Sequence, residues 1–296
     1  MIKKDSNYLS NISKEWIFLQ TGISSGLQNM LLDAFLLDEM NKGNIKLPVL
    51  RTYGWEVPTL SLGASQIKKH NYKSDLCNIN MVNRITGGQA VYHDTSESEI
   101  TYSLVFNHSG SARKIYFEIG SILISFLNKY GLIADFGYSD KSYDSKFNCF
   151  DSKTSADIVV NNTKIIGSAQ CRKKHSILQH GSIKLNKIRE LVHCQQSFHT
   201  LRHSLRVLPP VGSPPSCGAV APRMDTSLPA SPPVNGTLNY LVDVTLGPCN
   251  IDFHSAENYL KQSFEEVLNI TFLTINMKAD KIIFSGEKNC LLKLKT

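Results

Sequence analysis

The sequence predicts a protein of mixed helix and strand, and three observations carry that expectation. Short runs rich in β-branched and aromatic residues, such as Ile158 to Val160, Lys164 to Ala169 and Glu99 to Phe106, read as strands. Apolar residues at helical spacing form separate blocks near residues 27–37, 115–130 and 260–268. The first of those helical blocks is long and amphipathic, the pattern of a helix laid on a sheet rather than on a membrane. The chain has 296 residues, 42% of them hydrophobic, which is enough for one large domain or two small ones without disulfide staples.

Taken in order, Trp16 to Gln20 reads as a first strand. Ser25-Gly26-Leu27-Gln28 fits a capping box, in which the Ser side chain caps a backbone N–H and Gln reaches back. Leu27, Met30, Leu31, Ala34 and Leu37 would share the apolar face of the following helix, with Asp33 and Asp38 nearer its polar edges and Gly43 as its stop. Two short strands follow, Val49 to Tyr53 and Thr59 to Leu62, broken by Gly54 and Pro58. Arg51 in an apolar strand needs a partner or a polar ligand; taken alone it reads as an edge-strand arginine. A further strand runs into Arg84, and Thr86-Gly87-Gly88 leads to Ala90 to His93. Paired glycines let backbone amides turn toward a ligand oxygen, and Arg84 and His93 would flank that pocket; the same triplet also fits an ordinary turn. Glu99 to Phe106 alternates like a half-buried strand. Ile115, Ile119, Ile122, Leu123, Phe126 and Tyr130 make a core-packing helix closed by Gly131.

A polar loop, Tyr138 to Lys146, leads to Cys149. Beyond it, Asn161-Asn162-Thr163 joins two β-rich runs, a hairpin signal because Asn tolerates the positive φ of tight turns. Lys164 opens the second run, Gly167 and Ser168 are small where a ligand could approach closely, and His180-Gly181 starts a third run. A thiol, an amine and a Gly-Ser strand so close together could form an acyl-transfer site. The same residues also fit a surface hairpin with an ordinary lysine and a buried cysteine.

Residues 191–237 carry Pro209-Pro210, Pro214-Pro215 and Pro232-Pro233 and read as an inserted, disordered loop. Its cysteines, Cys194 and Cys217, lack a trustworthy ligand spacing; His193, Cys194, His199 and His203 could group around a metal ion, yet no metal is expected. A last amphipathic helix presents Leu260, Phe264, Val267 and Leu268 on one face, and the tail from Lys281 to Thr296 could add a strand. The expected division is 15–190 as a catalytic core, 191–237 as the insertion and 238–296 as a C-terminal helix and tail packing on that core. The seven cysteines are odd in number and scattered, which suits a reducing, cytoplasmic setting better than a disulfide framework. A net charge of +7 could steer acidic proteins toward the chain. No basic helix, RNA-binding motif, transmembrane run or secretory signal stands out, so neither nucleic acid nor a membrane is expected.

Together the helix around Gln28-Asn29-Met30, then LRTYGWEVPTLSLGASQ, RITGGQAVYHD with EITYS, NCF, KIIGSAQCR and LQHGSI resemble, in that order, the lipoate–protein ligase A and octanoyltransferase family, whose catalytic fold is shared with biotin protein ligases. The resemblance covers roughly residues 15 to 187 and a C-terminal helix near 255 to 270. It implies an α+β fold, a mixed sheet with flanking helices and an elongated pocket for an eight-carbon acyl chain. By motif position it implies that Arg84, Thr86, Gly87, Gly88 and His93 line the acyl or carrier pocket, that Lys164 sits at the reacting carbonyl, and that Gly167, Ser168 and His180 complete the wall.

The family divides into two kinds of enzyme. Ligases activate free lipoate with ATP and magnesium through an acyl-adenylate and usually carry a third Gly where this chain has Gln89. Octanoyltransferases often have Arg there and a Cys-Phe pair before the Lys strand, which Cys149-Phe150 matches. The resemblance therefore implies a transferase without cofactor. Cys149 thiolate would take an octanoyl group from octanoyl-acyl carrier protein and pass it to a lysine of a lipoyl-domain protein, such as a glycine cleavage H protein or a 2-oxoacid dehydrogenase E2. A cation at Lys164 would favour the thiolate, and amides near Gly167 and Ser168 could hold the oxyanion. The alternatives are the ATP-dependent ligase and an acyl-binding protein without catalysis, the latter suggested by the insertion.

Overall fold

The computed structural model describes residues 8–67, 79–108, 110–137, 157–194 and 251–277. Their centre is an eight-stranded mixed sheet. From one edge to the other it runs β11 (Thr271–Asn276), β1 (Glu15–Ser24), β2 (Val49–Trp55), β6 (Glu99–Asn107), β10 (Ser176–Lys184), β9 (Thr163–Arg172), β8 (Ile158–Val160) and β7 (Ala134–Phe136). β1 runs parallel to both β2 and β11, and the remaining pairs are antiparallel. A second sheet of three short strands, β4 (Asn80–Asn83), β3 (Thr59–Leu62) and β5 (Val91–His93), with the one-turn helix α2 (Ala64–Ile67) after β3, completes the α+β arrangement.

The period of two along each strand sends side chains to two separate cores. Trp16, Phe18, Leu50, Leu104 and Phe106 face α3 (Ala112–Asn128) and α5 (Phe253–Leu268). Ile17, Leu19, Val49, Val105 and Leu178 face α1 (Gly26–Asn41). A sheet covered on both sides explains why β6, whose alternation suggests a half-buried strand, is buried at every position except Asn107.

The capping box at Ser25 and Gln28 is formed as expected. The expected apolar face of α1 is formed only in part, with Met30 and Leu37 buried. Leu27 and Leu31 are 62% and 46% exposed, while Asn29, Asp33, Leu36 and Met40 are buried. The helix lies between β6 and β10 on one side and β4 on the other, so its inward surface is partly polar. Arg51 lies on an inner strand and not at an edge, paired across the helix–sheet boundary. Gly54 lies within β2 and does not break it; a Cβ there would meet the Ser96 Cβ at 2.9 Å. His180 and Gly181 fall in the middle of β10, whose start is Ser176. Asn161 and Asn162 have φ of 48° and 62° and turn β8 into β9, as the Asn pair predicts.

A helix, α4, begins at residue 185, and its described part ends at 194. Arg189 on this helix donates to the carbonyl of Ile251, just before α5, at 2.7 Å. β11 was not foreseen; it adds to the edge of β1. The expected tail strand, the polar loop at 138–146 and all but the first four residues of the 191–237 insertion lie outside the described residues. No helix of the described residues is long and apolar enough to cross a membrane.

Candidate functional site

A cavity of about 540 Å3, counted to its open mouth, lies where the three-stranded sheet meets the middle of the large one. Met30, Tyr53, Trp55 and Val91 give it apolar surface. Its polar walls come from three groups of side chains that the strand registers bring together.

The first group centres on Asp33 of α1. Arg51 Nη1 donates to Asp33 Oδ1 at 2.7 Å, Tyr53 Oη donates to Oδ2 at 3.0 Å, and His180 Nδ1 donates to the same oxygen at 2.9 Å. Burial opposes the Asp33 charge, but the Arg51 guanidinium and His180 hold the carboxyl below its ordinary range. Burial, then the Asp33 charge, push the Tyr53 phenol well up. Arg51 also donates to Thr21 Oγ1 at 3.0 Å and Asn29 Oδ1 at 2.7 Å, and stacks over Tyr53 at 3.9 Å. His180 Nε2 lies 2.7 Å from Thr86 Oγ1, so this group reaches from α1 through the sheet to the glycine turn.

The second group centres on Glu99 at the start of β6. His93 Nδ1 donates to Glu99 Oε1 at 2.6 Å, and Ser182 and Lys184 donate to its two oxygens. Burial works against the Glu99 charge, yet Lys184 and His93 bring the carboxyl down to about 2. Burial brings His93 down to about 4, against the pull of Glu99. The His93 ring stacks on Trp55 at 3.8 Å.

Arg84 braces the glycine turn. Its Nη1 donates to Ser61 O at 2.8 Å, and its Nη2 donates to Gly87 O at 2.8 Å and Gln89 O at 2.6 Å. Gly88 has φ of +90°, and its carbonyl oxygen lies 2.0 Å from where a Cβ on Gly63 would stand. Glycine at 63 is what lets the turn seat on the end of β3. Gly87 has nothing within 4 Å of its Cβ position, so the turn is uncrowded there.

The third group stands on β9. Lys164 Nζ lies 3.0 Å from Asp157 Oδ2, both side chains being buried, and Asp157 lines the cavity. Gly167 and Ser168 line it from the register that pairs them with Ser182 and Gly181. Past Ile166 the outer edge of β9 has no strand partner among the described residues.

Of the residues singled out in the sequence, Arg84, Gly88, His93, Gly167, Ser168 and His180 line the one cavity. Thr86 and Lys164 reach it through His180 and Asp157, and Gly87 lies beside Gly88. Cys149 lies outside the described residues. Among the described residues no group of three or more His, Cys, Asp or Glu is placed to hold a metal ion. Sequence reasoning missed Asp33, Asp157, Ser61 and Glu99 as site residues. The available signal was a charge or hydroxyl inside an apolar run, which a buried strand or helix keeps only when it has a partner.

This α+β architecture is that of the lipoate ligase-like folds. A solved lipoate-protein ligase A bound with ATP superposes with a TM-score of 0.55 at 18% identity, over 95% of this chain and 93% of that one. P. falciparum LipL1 in complex with lipoate gives 0.50 at 18% identity, over 94% and 71%. The sequence pattern of the lipoyl protein ligase A/B catalytic domain matches residues 25–201, and the chain belongs to that family. It is 37% identical over 185 residues to octanoyltransferase LipM of Kyrpidia tusciae, which is 58% of this chain and 66% of that protein. The Oceanobacillus iheyensis octanoyltransferase LipM is 36% identical over 183 residues, 58% of this chain and 65% of that one. The chain thus matches slightly under two thirds of the length of these relatives.

Proposed function

We propose that this protein transfers an octanoyl or lipoyl group from acyl carrier protein to a lysine of a lipoyl-domain protein, through a thioester on Cys149. The observation that carries the reading is the buried Lys164–Asp157 pair at the wall of a cavity in which Met30, Tyr53, Trp55 and Val91 offer apolar surface to a short acyl chain. The likeness to proteins named octanoyltransferase supports the same reaction.

Cys149 Sγ attacks the donor's thioester carbonyl, the C–S bond to the carrier breaks, and the carrier leaves as a thiol. The acceptor's ε-amine then attacks the Cys149 thioester, forming an amide and releasing Cys149 as the thiolate. Lys164 donates the proton that the leaving carrier needs and takes up the proton that the attacking amine gives, while Asp157 holds its Nζ in place. Backbone amides near Gly167 and Ser168 are donors for the oxyanion, each often worth about 2.7–4 kcal/mol in such sites. Arg84 holds the Thr86–Gln89 turn over the chain, and His180 fixes Thr86 from beneath. Cys171, on β9, is a poor nucleophile because burial raises its thiol. The reaction needs no cofactor, and the cysteines suit the cytoplasm. The core spans 15–190, with 191–237 inserted before a C-terminal helix.

The test is intact mass after incubation with octanoyl-acyl carrier protein. The protein gains one octanoyl group, Cys149→Ala does not, and adding a lipoyl domain moves the group to the domain. Retained transfer by Cys149→Ala overturns the reading. The fold's likeness to solved ligases keeps a second reading in view, in which transfer requires ATP and magnesium and survives the loss of Cys149.

A further inference from the structure

Ser61, His93 and Glu99 form an unbroken hydrogen-bonded row along the cavity, and the transfer just described makes no nucleophilic use of it. Ser61 Oγ lies 2.8 Å from His93 Nε2, and His93 Nδ1 lies 2.6 Å from Glu99 Oε1. Ser61 and His93 both line the cavity. The ends of the row set its polarity. Glu99 accepts from Lys184, Ser182 and Thr101, so it is an ionised acceptor and the hydrogen between it and His93 sits on Nδ1. Nε2 is then a lone pair, and the Ser61 hydroxyl donates to it. Arg84 Nη1 donates to Ser61 Oγ at 3.1 Å, which leaves the oxygen a second lone pair and puts a cation beside it. A hydroxyl, a base within reach and a carboxylate that orients the base are the parts of an activated serine.

We propose that Ser61 is a second acyl-accepting nucleophile in this cavity, which makes the protein a hydrolase of short acyl thioesters when no acceptor lysine is present. The proposal takes from the proposed function only that the cavity holds a short acyl chain. Ser61 Oγ attacks the thioester carbonyl, its proton passes to His93 Nε2, the C–S bond breaks, and the leaving thiolate takes that proton. Water then attacks the Ser61 ester, giving a proton to His93. The C–O bond to Ser61 breaks, His93 returns the proton to Oγ, and the fatty acid leaves. The sum is thioester plus water to acid plus thiol. Three charged groups face His93: Glu99 from β6, Lys184 from β10 and Arg84 from the segment after β4. Hydrolysis therefore needs the neutral ring and falls off as that ring is protonated in acid.

The experiment uses the full chain carrying Cys149→Ala, so that no thioester can form at that position, with octanoyl-N-acetylcysteamine as probe. Octanoate is measured, and acid-quenched peptides are mapped by mass. The expected result is octanoate release with an octanoyl ester on the peptide bearing Ser61. Adding Ser61→Ala removes the ester and lowers release by roughly 100-fold or more, as does His93→Gln, which keeps a polar side chain but offers no base. No release and no ester from the Cys149→Ala protein, an ester on another residue, or release unchanged by Ser61→Ala each overturns the proposal. Failure of the transfer reading shows separately, as absence of an adduct from octanoyl-acyl carrier protein on the unmodified chain.

Discussion

The Lys164 ammonium lies 3.0 Å from the Asp157 carboxylate, at the start of β9 and just ahead of β8, and both groups are withdrawn from water. Such a pair holds only as a pair, because a lone buried charge keeps the full cost of leaving water. Asp157→Ala should therefore lower stability by about 3–5 kcal/mol in urea unfolding. The double variant Asp157→Ala with Lys164→Met should recover much of that loss yet remain inactive in octanoyl transfer, separating the structural part of the pair from the chemical part. A double variant that regains transfer would contradict the role given to Lys164.

Arg51 distributes its donors among Thr21, Asn29 and Asp33. Arg51→Met should strand the Asp33 carboxylate and lower stability by about 3–5 kcal/mol. Arg51→Lys should rescue only part of the loss, since an ammonium cannot span the same fork of acceptors. Urea midpoints of the three proteins measure both effects.

Acid should weaken the fold through His93 and Glu99 together. His93 folds with its pKa lowered from 6.5 to about 4, so the unfolded chain binds more protons between those values. Its contribution is complete above the unfolded value and is lost as pH falls through that window. Glu99, lowered from 4.5 to about 2, continues the loss further into acid. The His93 part amounts to about 3 kcal/mol between neutral pH and pH 4. Unfolding free energies across this range should show the slope, and His93→Gln should flatten it above pH 4.5.

Gly63→Ala should move the Thr86–Gln89 turn, because its new methyl would stand 2.0 Å from the Gly88 carbonyl oxygen. The expected cost is about 1–3 kcal/mol of stability. The KM for the acyl donor should rise alongside if, as proposed, the turn covers the acyl chain. A variant of unchanged stability and unchanged KM would mean that the turn does not close the cavity.

What was legible in the sequence was local. The Asn161-Asn162 turn, the Ser25 capping box and α3 each depend on residues a few positions apart, and each formed as expected. The burial of α1 was not legible, because Asp33 and Asn29 look like surface residues until Arg51 is brought across from β2. β11 escaped notice because an edge strand with scarcely buried side chains leaves little alternation to read. In the candidate site, the glycine turn and the Lys164 strand were visible as motifs. Ser61, Glu99 and Asp157 were not, since each acquires its meaning only from a partner on another element.

The contact of Arg189 with the Ile251 carbonyl brings α4 alongside the lead-in to α5, so the chain departs and re-enters at one place on the rim. One hydrogen bond thus joins two points 62 positions apart in the sequence. A change at Arg189 would therefore be felt at the start of α5 as well as on its own helix.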